Sequence, residues 1–215
     1  MKLLLTSQGI TNKSIEKKFF EMVGKKPEDI YLSYVPTAVN MAPVDDKRWM
    51  VENIQILDLM GIGTIDIVDF SAIPKESWRE RFGKSDVIFV EGGSVPPLLS
   101  GAKKVGLDKL FPEILKNKVY VGCSAGSQLV CEVVTAGSRS SSAGIWHDKG
   151  FGFVDFSIRP HFNRSDRSFF TEDIIAKIAK EYASTFYAID DNTAIAVVDN
   201  RVEVVSEGKW KIFEK

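Results

Sequence analysis

Histidine is nearly absent from this chain: 215 residues hold only His147 and His161. Any imidazole base must be one of these two. Cysteine is equally scarce, with Cys123 and Cys131 alone, eight positions apart. Without a secretory signal they read as reduced thiols in a cytoplasmic protein. A two-cysteine metal site needs further ligands, and neither histidine is near in sequence, so no metal is expected. Charge of one sign is lacking too. The formal net charge is −1, which gives no global field for nucleic acid or an anionic membrane. No apolar run reaches the ~18–20 residues that span a bilayer. Met1 to Thr6 starts like a signal peptide, but the run is short and Ser7-Gln8 follow at once, so a first strand is expected.

What is present is ordinary globular material, 44% hydrophobic and 27% charged, enough for one domain over residues 1–215 with a sizeable core. Apolar strand-like runs alternate with amphipathic helical ones. Strands are expected at Lys2–Thr6, Ile30–Val35, Ile65–Phe70, Asp86–Val90 and Val119–Cys123. Helices are expected at Asn12–Val23, Val44–Met60, Pro74–Arg81, Val95–Lys104, Leu107–Lys116 and Ser168–Tyr182. Continuous apolar strands in a βαβα rhythm imply an α/β fold. It is a doubly wound, mostly parallel sheet sandwiched between helices in three layers. Ser- and Gly-rich Thr135–Gly144 reads as a surface loop, and Phe153–Arg159 resumes strand character. Phe186–Ile189, Ala194–Val198, Val202–Val205 and Trp210–Phe213, with turn signals between them, suggest a C-terminal antiparallel meander.

The most informative stretch is Val119-Tyr120-Val121-Gly122-Cys123-Ser124-Ala125-Gly126-Ser127. A strand ends in Gly-x-Ser-x-Gly, and a helix-compatible segment, Gln128 to Val133, follows. That is the pattern of a nucleophile elbow, a serine on a sharp strand-to-helix turn. A buried turn with small packing residues gives the same letters. The serine needs a base. His161, in Arg159-Pro160-His161-Phe162, follows a strand, and strand ends are where open α/β sheets gather functional groups. His147, in the loop Trp146-His147-Asp148, lacks that placement. A carboxylate must orient the imidazole, and Asp190 and Asp191 follow another strand. Asp191 is favoured, although paired acids before Asn192 are also common turn chemistry. Two oxyanion donors are expected from the backbone N–H groups of Ala125 and Gly93, the latter in the strand-end pair Gly92-Gly93. The order Ser, His, acid differs from the Ser, acid, His of α/β-hydrolases. With the modest length, it points away from lipases and esterases.

These residues resemble the dipeptidase E (α-aspartyl dipeptidase) family of serine peptidases, related to cyanophycinase. The likeness covers most of the chain. It rests on Tyr34-Val35-Pro36-Thr37-Ala38, Phe89-Val90-Glu91-Gly92-Gly93-Ser94, the elbow Gly122 to Ser127, and Arg159-Pro160-His161-Phe162. The resemblance implies a fold like the class I glutamine amidotransferases and a Ser-His-acid site. It also implies hydrolysis of short peptides, with N-terminal aspartate in the best-known members, and no cofactor. The chain departs from the family where Gly-Gly-Gly-Asn is usual: here Glu91 and Ser94 bring a carboxylate and a hydroxyl to the substrate side. Glu91 is expected either to meet a free α-amino group or to point away, capping a neighbouring helix or meeting solvent, and Arg164, Arg167 or Arg139 either to meet an acidic side chain or to lie solvated on the surface. The expected partner is a short peptide, with no nucleic acid and no membrane, and a homodimer is compatible with the sequence. Another acyl-transfer enzyme such as an amidase, or a non-catalytic peptide or small-ligand binder on the same scaffold, remains open.

Overall fold

The computed structural model describes residues 1–43, 45–137, 145–165 and 171–214. In chain order the elements begin β1 (Lys2–Thr6), α1 (Lys13–Val23), β2 (Tyr31–Val35), α2 (Thr37–Asn40), α3 (Arg48–Leu59) and β3 (Thr64–Ile67). There follow α4 (Lys75–Lys84), β4 (Val87–Val90), α5 (Val95–Val105), α6 (Leu107–Ile114), β5 (Val119–Cys123) and α7 (Ala125–Leu129). The chain closes with β6 (Val133–Gly137), β7 (Ile145–Lys149), β8 (Phe156–Arg159), α8 (Glu172–Glu181), β9 (Thr185–Ile189), β10 (Thr193–Val198), β11 (Arg201–Ser206) and β12 (Trp210–Phe213).

The central sheet has seven strands in the order β11-β10-β1-β5-β4-β2-β3. Its five strands from β1 to β3 are parallel, and β10 and β11 join antiparallel at one edge. Alternate residues of each strand face opposite sides, and both sides are apolar. Leu4, Tyr34, Val87, Phe89 and Val121 pack on one side with Ile15 and Phe19 of α1 and Leu57 of α3. Leu3, Leu5, Ile88, Val90 and Tyr120 pack on the other with Trp78 of α4, Leu98 of α5 and Phe111 of α6. This two-faced burial is why the strands read as unbroken apolar runs. Helix ends carry their own signals: the Asn12 side chain accepts from the Ile15 amide at the start of α1, and Gly24 closes it in the left-handed region.

Three expectations are corrected. The C-terminal strands do not form one meander. β10 and β11 extend the central sheet, whereas β9 and β12 pair antiparallel in a second sheet, with β8 parallel to β9. The Asp190 carboxylate sets the crossing point: it accepts from Asn192 N, from Thr193 Oγ1 at 2.7 Å and from Lys209 N. The segment after the elbow is not helical to Val133; α7 stops at Leu129 and Val133 opens a strand. Thr135 to Gly137 lie in β6, which pairs antiparallel with β7, so His147 is on a strand rather than in a loop. Residues 138–144 of the expected loop lie outside the described residues, as does the start of the expected helix at Ser168. No helix among the described residues is long and apolar enough to cross a membrane.

Candidate active site

The C-terminal ends of the neighbouring parallel strands β1, β5 and β4 lie side by side in the middle of the central sheet, and Ser124 follows β5 there. Its backbone holds φ 48° and ψ −102°, a strained combination for a residue with a Cβ. The neighbours make the strain tolerable. A Cβ on Gly126 would collide with the Val90 carbonyl, and one on Gly122 with the Ser127 backbone, so glycine alone permits this close turn. The Ser124 amide donates to Thr6 O at 3.0 Å, tying the turn to β1.

His161 arrives from β8 in the second sheet, with φ 61° just after Pro160. Its Nε2 lies 2.9 Å from Ser124 Oγ, and its Nδ1 lies 2.7 Å from Asp191 Oδ1. A carboxylate only accepts, so Nδ1 carries the proton and Nε2 offers its lone pair to the serine hydroxyl. Asp191 sits in the β9–β10 turn, where the two sheets meet. Burial pushes His161 below the usual histidine range. The neighbouring Asp191 opposes that shift, and the charges of Arg159 and Arg164 add to it. Burial pulls Asp191 upward, but hydrogen bonds from His161 and Ser7 and the charges of His161 and Arg164 hold it below the usual carboxylate range. The line Asp191–His161–Ser124 is arranged to draw a proton off the serine hydroxyl.

Ser7, which no sequence motif marks, belongs to this line. Its fully buried hydroxyl accepts from the His161 amide at 2.8 Å and donates to Asp191 Oδ1 at 2.7 Å. The signal was available: Ser7 follows β1 as His161 follows β8. Asp190 is occupied with the turn described above, and His147 is exposed on β7 with its ring against Tyr182, 4.5 Å between centroids.

A cleft of about 640 Å³ opens over Ser124 and His161; Gly93, Ser94, Arg159 and Arg164 are among its walls. Ser94 lines the cleft. Arg164 also reaches Asp191 Oδ2, at 3.2 Å. Arg167 and Arg139 lie outside the described residues. Arg159, of the Arg159-Pro160-His161-Phe162 stretch, is a buried cation on the cleft wall, bonded to Thr135 Oγ1 at 3.2 Å. Gln128 and Gln8 line the cleft as well. The Ala125 amide heads α7 and has no preceding helical turn to accept from it. The Gly92–Gly93 run lies beside the serine: a Cβ on Gly92 would be 3.2 Å from Ser124 Cβ.

The expectation that Glu91 meets a free α-amino group is overturned. Its side chain is fully buried and does not line the cleft. It accepts from Tyr34 Oη, from Asn53 Nδ2 at 2.9 Å and from the Gly92 amide at 2.6 Å. The cause is strand alternation: Val87 and Phe89 face the α1–α3 side, and Glu91 continues their parity away from the cleft. A substrate amine cannot reach it. Both cysteines are free and buried; burial, then the charge of Glu91, raises the Cys123 thiol, and burial pushes Cys131 up to about 12. Among the described residues, no group of three or more His, Cys, Asp and Glu is placed to hold a metal ion.

The model of peptidase family S51 matches residues 3–205. The chain belongs to this family, the dipeptidase E family, and is a peptidase. An uncharacterized peptidase of Listeria monocytogenes serovar 1/2a is 30% identical over 177 residues, which are 77% of this chain and 81% of that protein. One of Pasteurella multocida is 25% identical over 181 residues, 81% of this chain and 84% of that protein. The fold is similar to a crystal structure of a Listeria monocytogenes EGD-e protein provisionally described as peptidase E. The TM-score is 0.75 at 24% identity, covering 96% of this chain and 98% of that one. A peptidase from an acI-B1 Actinobacterium gives 0.69 at 19% identity, covering 99% and 90%.

Proposed function

We propose that this family S51 member is a serine peptidase that cleaves dipeptides or short peptides through an acyl-enzyme on Ser124. The observation that carries the reading is the unbroken chain of contacts from Ser124 Oγ to His161 Nε2 at 2.9 Å and from His161 Nδ1 to Asp191 Oδ1 at 2.7 Å. Ser124 Oγ attacks the scissile carbonyl carbon while its proton passes to His161 Nε2. Asp191 stabilises the imidazolium, and the Gly93 and Ala125 amides receive the oxyanion. His161 returns the proton to the leaving amine, which departs with its new hydrogen. A water then repeats the sequence at the acyl carbon, releasing the acid and restoring the serine.

The cleft volume suits a short peptide rather than a folded chain. Residues from both sheets build the site, so residues 1–215 act as one peptidase unit. In this reading Arg159 gives the cleft its preference for an acidic side chain, as the buried cation on its wall, while Arg164 steadies Asp191. The test is a library of free and blocked di- and tripeptides read by mass spectrometry, with Ser124→Ala alongside. Cleavage of short peptides that Ser124→Ala abolishes supports the reading. Turnover that survives in Ser124→Ala, or a folded wild type that cleaves none of them, overturns it.

A further inference from the structure

Glu91 is a fully buried acid that the proton relay does not use. Every contact it makes is from a donor. Oε2 accepts from Tyr34 of β2 and from Asn53 of α3, and Oε1 accepts from the Gly92 amide. Asn53 lies close to two further segments: a Cβ on Gly9 would be 2.7 Å from Asn53 Oδ1, and Asn53 Nδ2 reaches Cys123 Sγ at 3.8 Å. The carboxylate is therefore held from β2 and α3 before it meets the backbone of its own strand end. That backbone is pinned at three of four amides. The Glu91 amide donates to Val35 O at 3.0 Å, Gly92 to the Glu91 carboxylate, and Ser94 to Ala38 O at 3.0 Å. Gly93, between them, holds φ 138°, and a Cβ there would strike Ala38 O.

We infer that Glu91 is the positioning residue of the oxyanion site. By taking the Gly92 amide for itself, its carboxylate fixes the Gly92–Gly93 turn and leaves the Gly93 amide as the donor presented beside Ser124. The inference rests on the serine-peptidase reading and adds to it a buried support that touches no substrate. A carboxylate serves here because it accepts on both oxygens. Gln at this position keeps one acceptor for Gly92, since the Tyr34 hydroxyl and the Asn53 amide can both reorient. Met has similar length and offers none.

The experiment compares matched ester and thionoester substrates of the same short acyl group on wild type, Glu91→Met and Glu91→Gln. Sulfur is a poor hydrogen-bond acceptor, so the ratio of ester to thionoester turnover reports the oxyanion donors. Loss of one well-placed donor lowers kcat by roughly 10²–10³-fold. Glu91→Met is expected to show a loss of that order on the ester, little change in KM and a collapse of the ratio. Glu91→Gln is expected to restore most of both. If Glu91→Met does not fold, Tyr34→Phe carries the same comparison, because it removes one of the two donors that hold Oε2 and leaves the backbone intact; its ratio is expected to fall in the same direction, by less. A folded Glu91→Met, or failing that Tyr34→Phe, with an unchanged ratio overturns the inference while Ser124-dependent turnover leaves the peptidase reading standing. Wild-type turnover that does not depend on Ser124 overturns both.

Discussion

Ser7 Oγ bridges the backbone of His161 and the carboxylate of Asp191, accepting at 2.8 Å from one and donating at 2.7 Å to the other. The hydroxyl thus fixes the base and its orienting acid relative to each other, from a third strand. Hydrogen bonds to charged groups contribute about 1.5–3 kcal/mol, so Ser7→Ala is expected to lower kcat by roughly 10–100-fold with KM little changed. Steady-state kinetics on a confirmed peptide substrate check this. A purely KM effect contradicts it.

The two histidines separate cleanly by position. His161→Ala is expected to cost several orders of magnitude in kcat, whereas His147→Ala, exposed on β7, costs little. Equal losses in the two variants contradict the assignment.

Acid affects both rate and stability. The folded His161 titrates below its ordinary value of 6.5, and the neutral ring is the base. The acid limb of kcat/KM is therefore expected below pH 6.5, with activity rising as pH rises through it. The unfolded chain takes up the imidazole proton first, so His161 contributes stability above about pH 6.5 that declines on acidification. Asp191, also below its ordinary 3.8, contributes stability above that value that is lost as pH falls through its folded pKa. Urea denaturation from pH 8 to 3 is expected to show stability falling in two windows, below about pH 6.5 and again below about 3.8; a rise between pH 7 and 5 that Asp191→Asn and His161→Gln both abolish contradicts it.

Arg159 sets side-chain preference in this account. Arg159→Met is expected to lower kcat/KM for an Asp-containing dipeptide at least about tenfold more than for its Asn twin, since a buried charged hydrogen bond is lost only with the first. Equal losses point to a packing role.

Gly126 shows where the elbow tolerates no side chain. Gly126→Ala places a Cβ into the Val90 carbonyl, and overpacking of this kind typically costs about 1–3 kcal/mol. Gly83, inside α4 with nothing within 4 Å of a Cβ, is the control: Gly83→Ala is expected to gain roughly 0.5–1 kcal/mol. Chemical denaturation of the pair checks the contrast.

Much of this was legible in the letters. Strands buried on both faces read as apolar runs, and the rule that functional groups gather at strand ends brought Ser124, His161 and Asp191 forward from three separate stretches. The same rule failed at Glu91, because proximity to a strand end says nothing about facing. Counting in twos from Val87 through Phe89 gives the inward direction. β7 is not legible because Ile145-Trp146-His147-Asp148-Lys149 lacks apolar alternation, and Trp146 to Lys149 are all exposed, so burial imposes none. The division of the C-terminal strands between two sheets depends on Asp190 bonding Lys209, nineteen residues away, a contact that local patterning does not carry.

The central claim is that Ser124 is the nucleophile, activated by His161. Reaction with a fluorophosphonate, followed by intact-mass analysis and peptide mapping, tests it most directly. The account predicts one adduct per chain, mapped to Ser124, absent in Ser124→Ala and strongly slowed in His161→Ala. Folded wild type that takes up no label, or a Ser124→Ala variant that labels as fast as wild type, contradicts it.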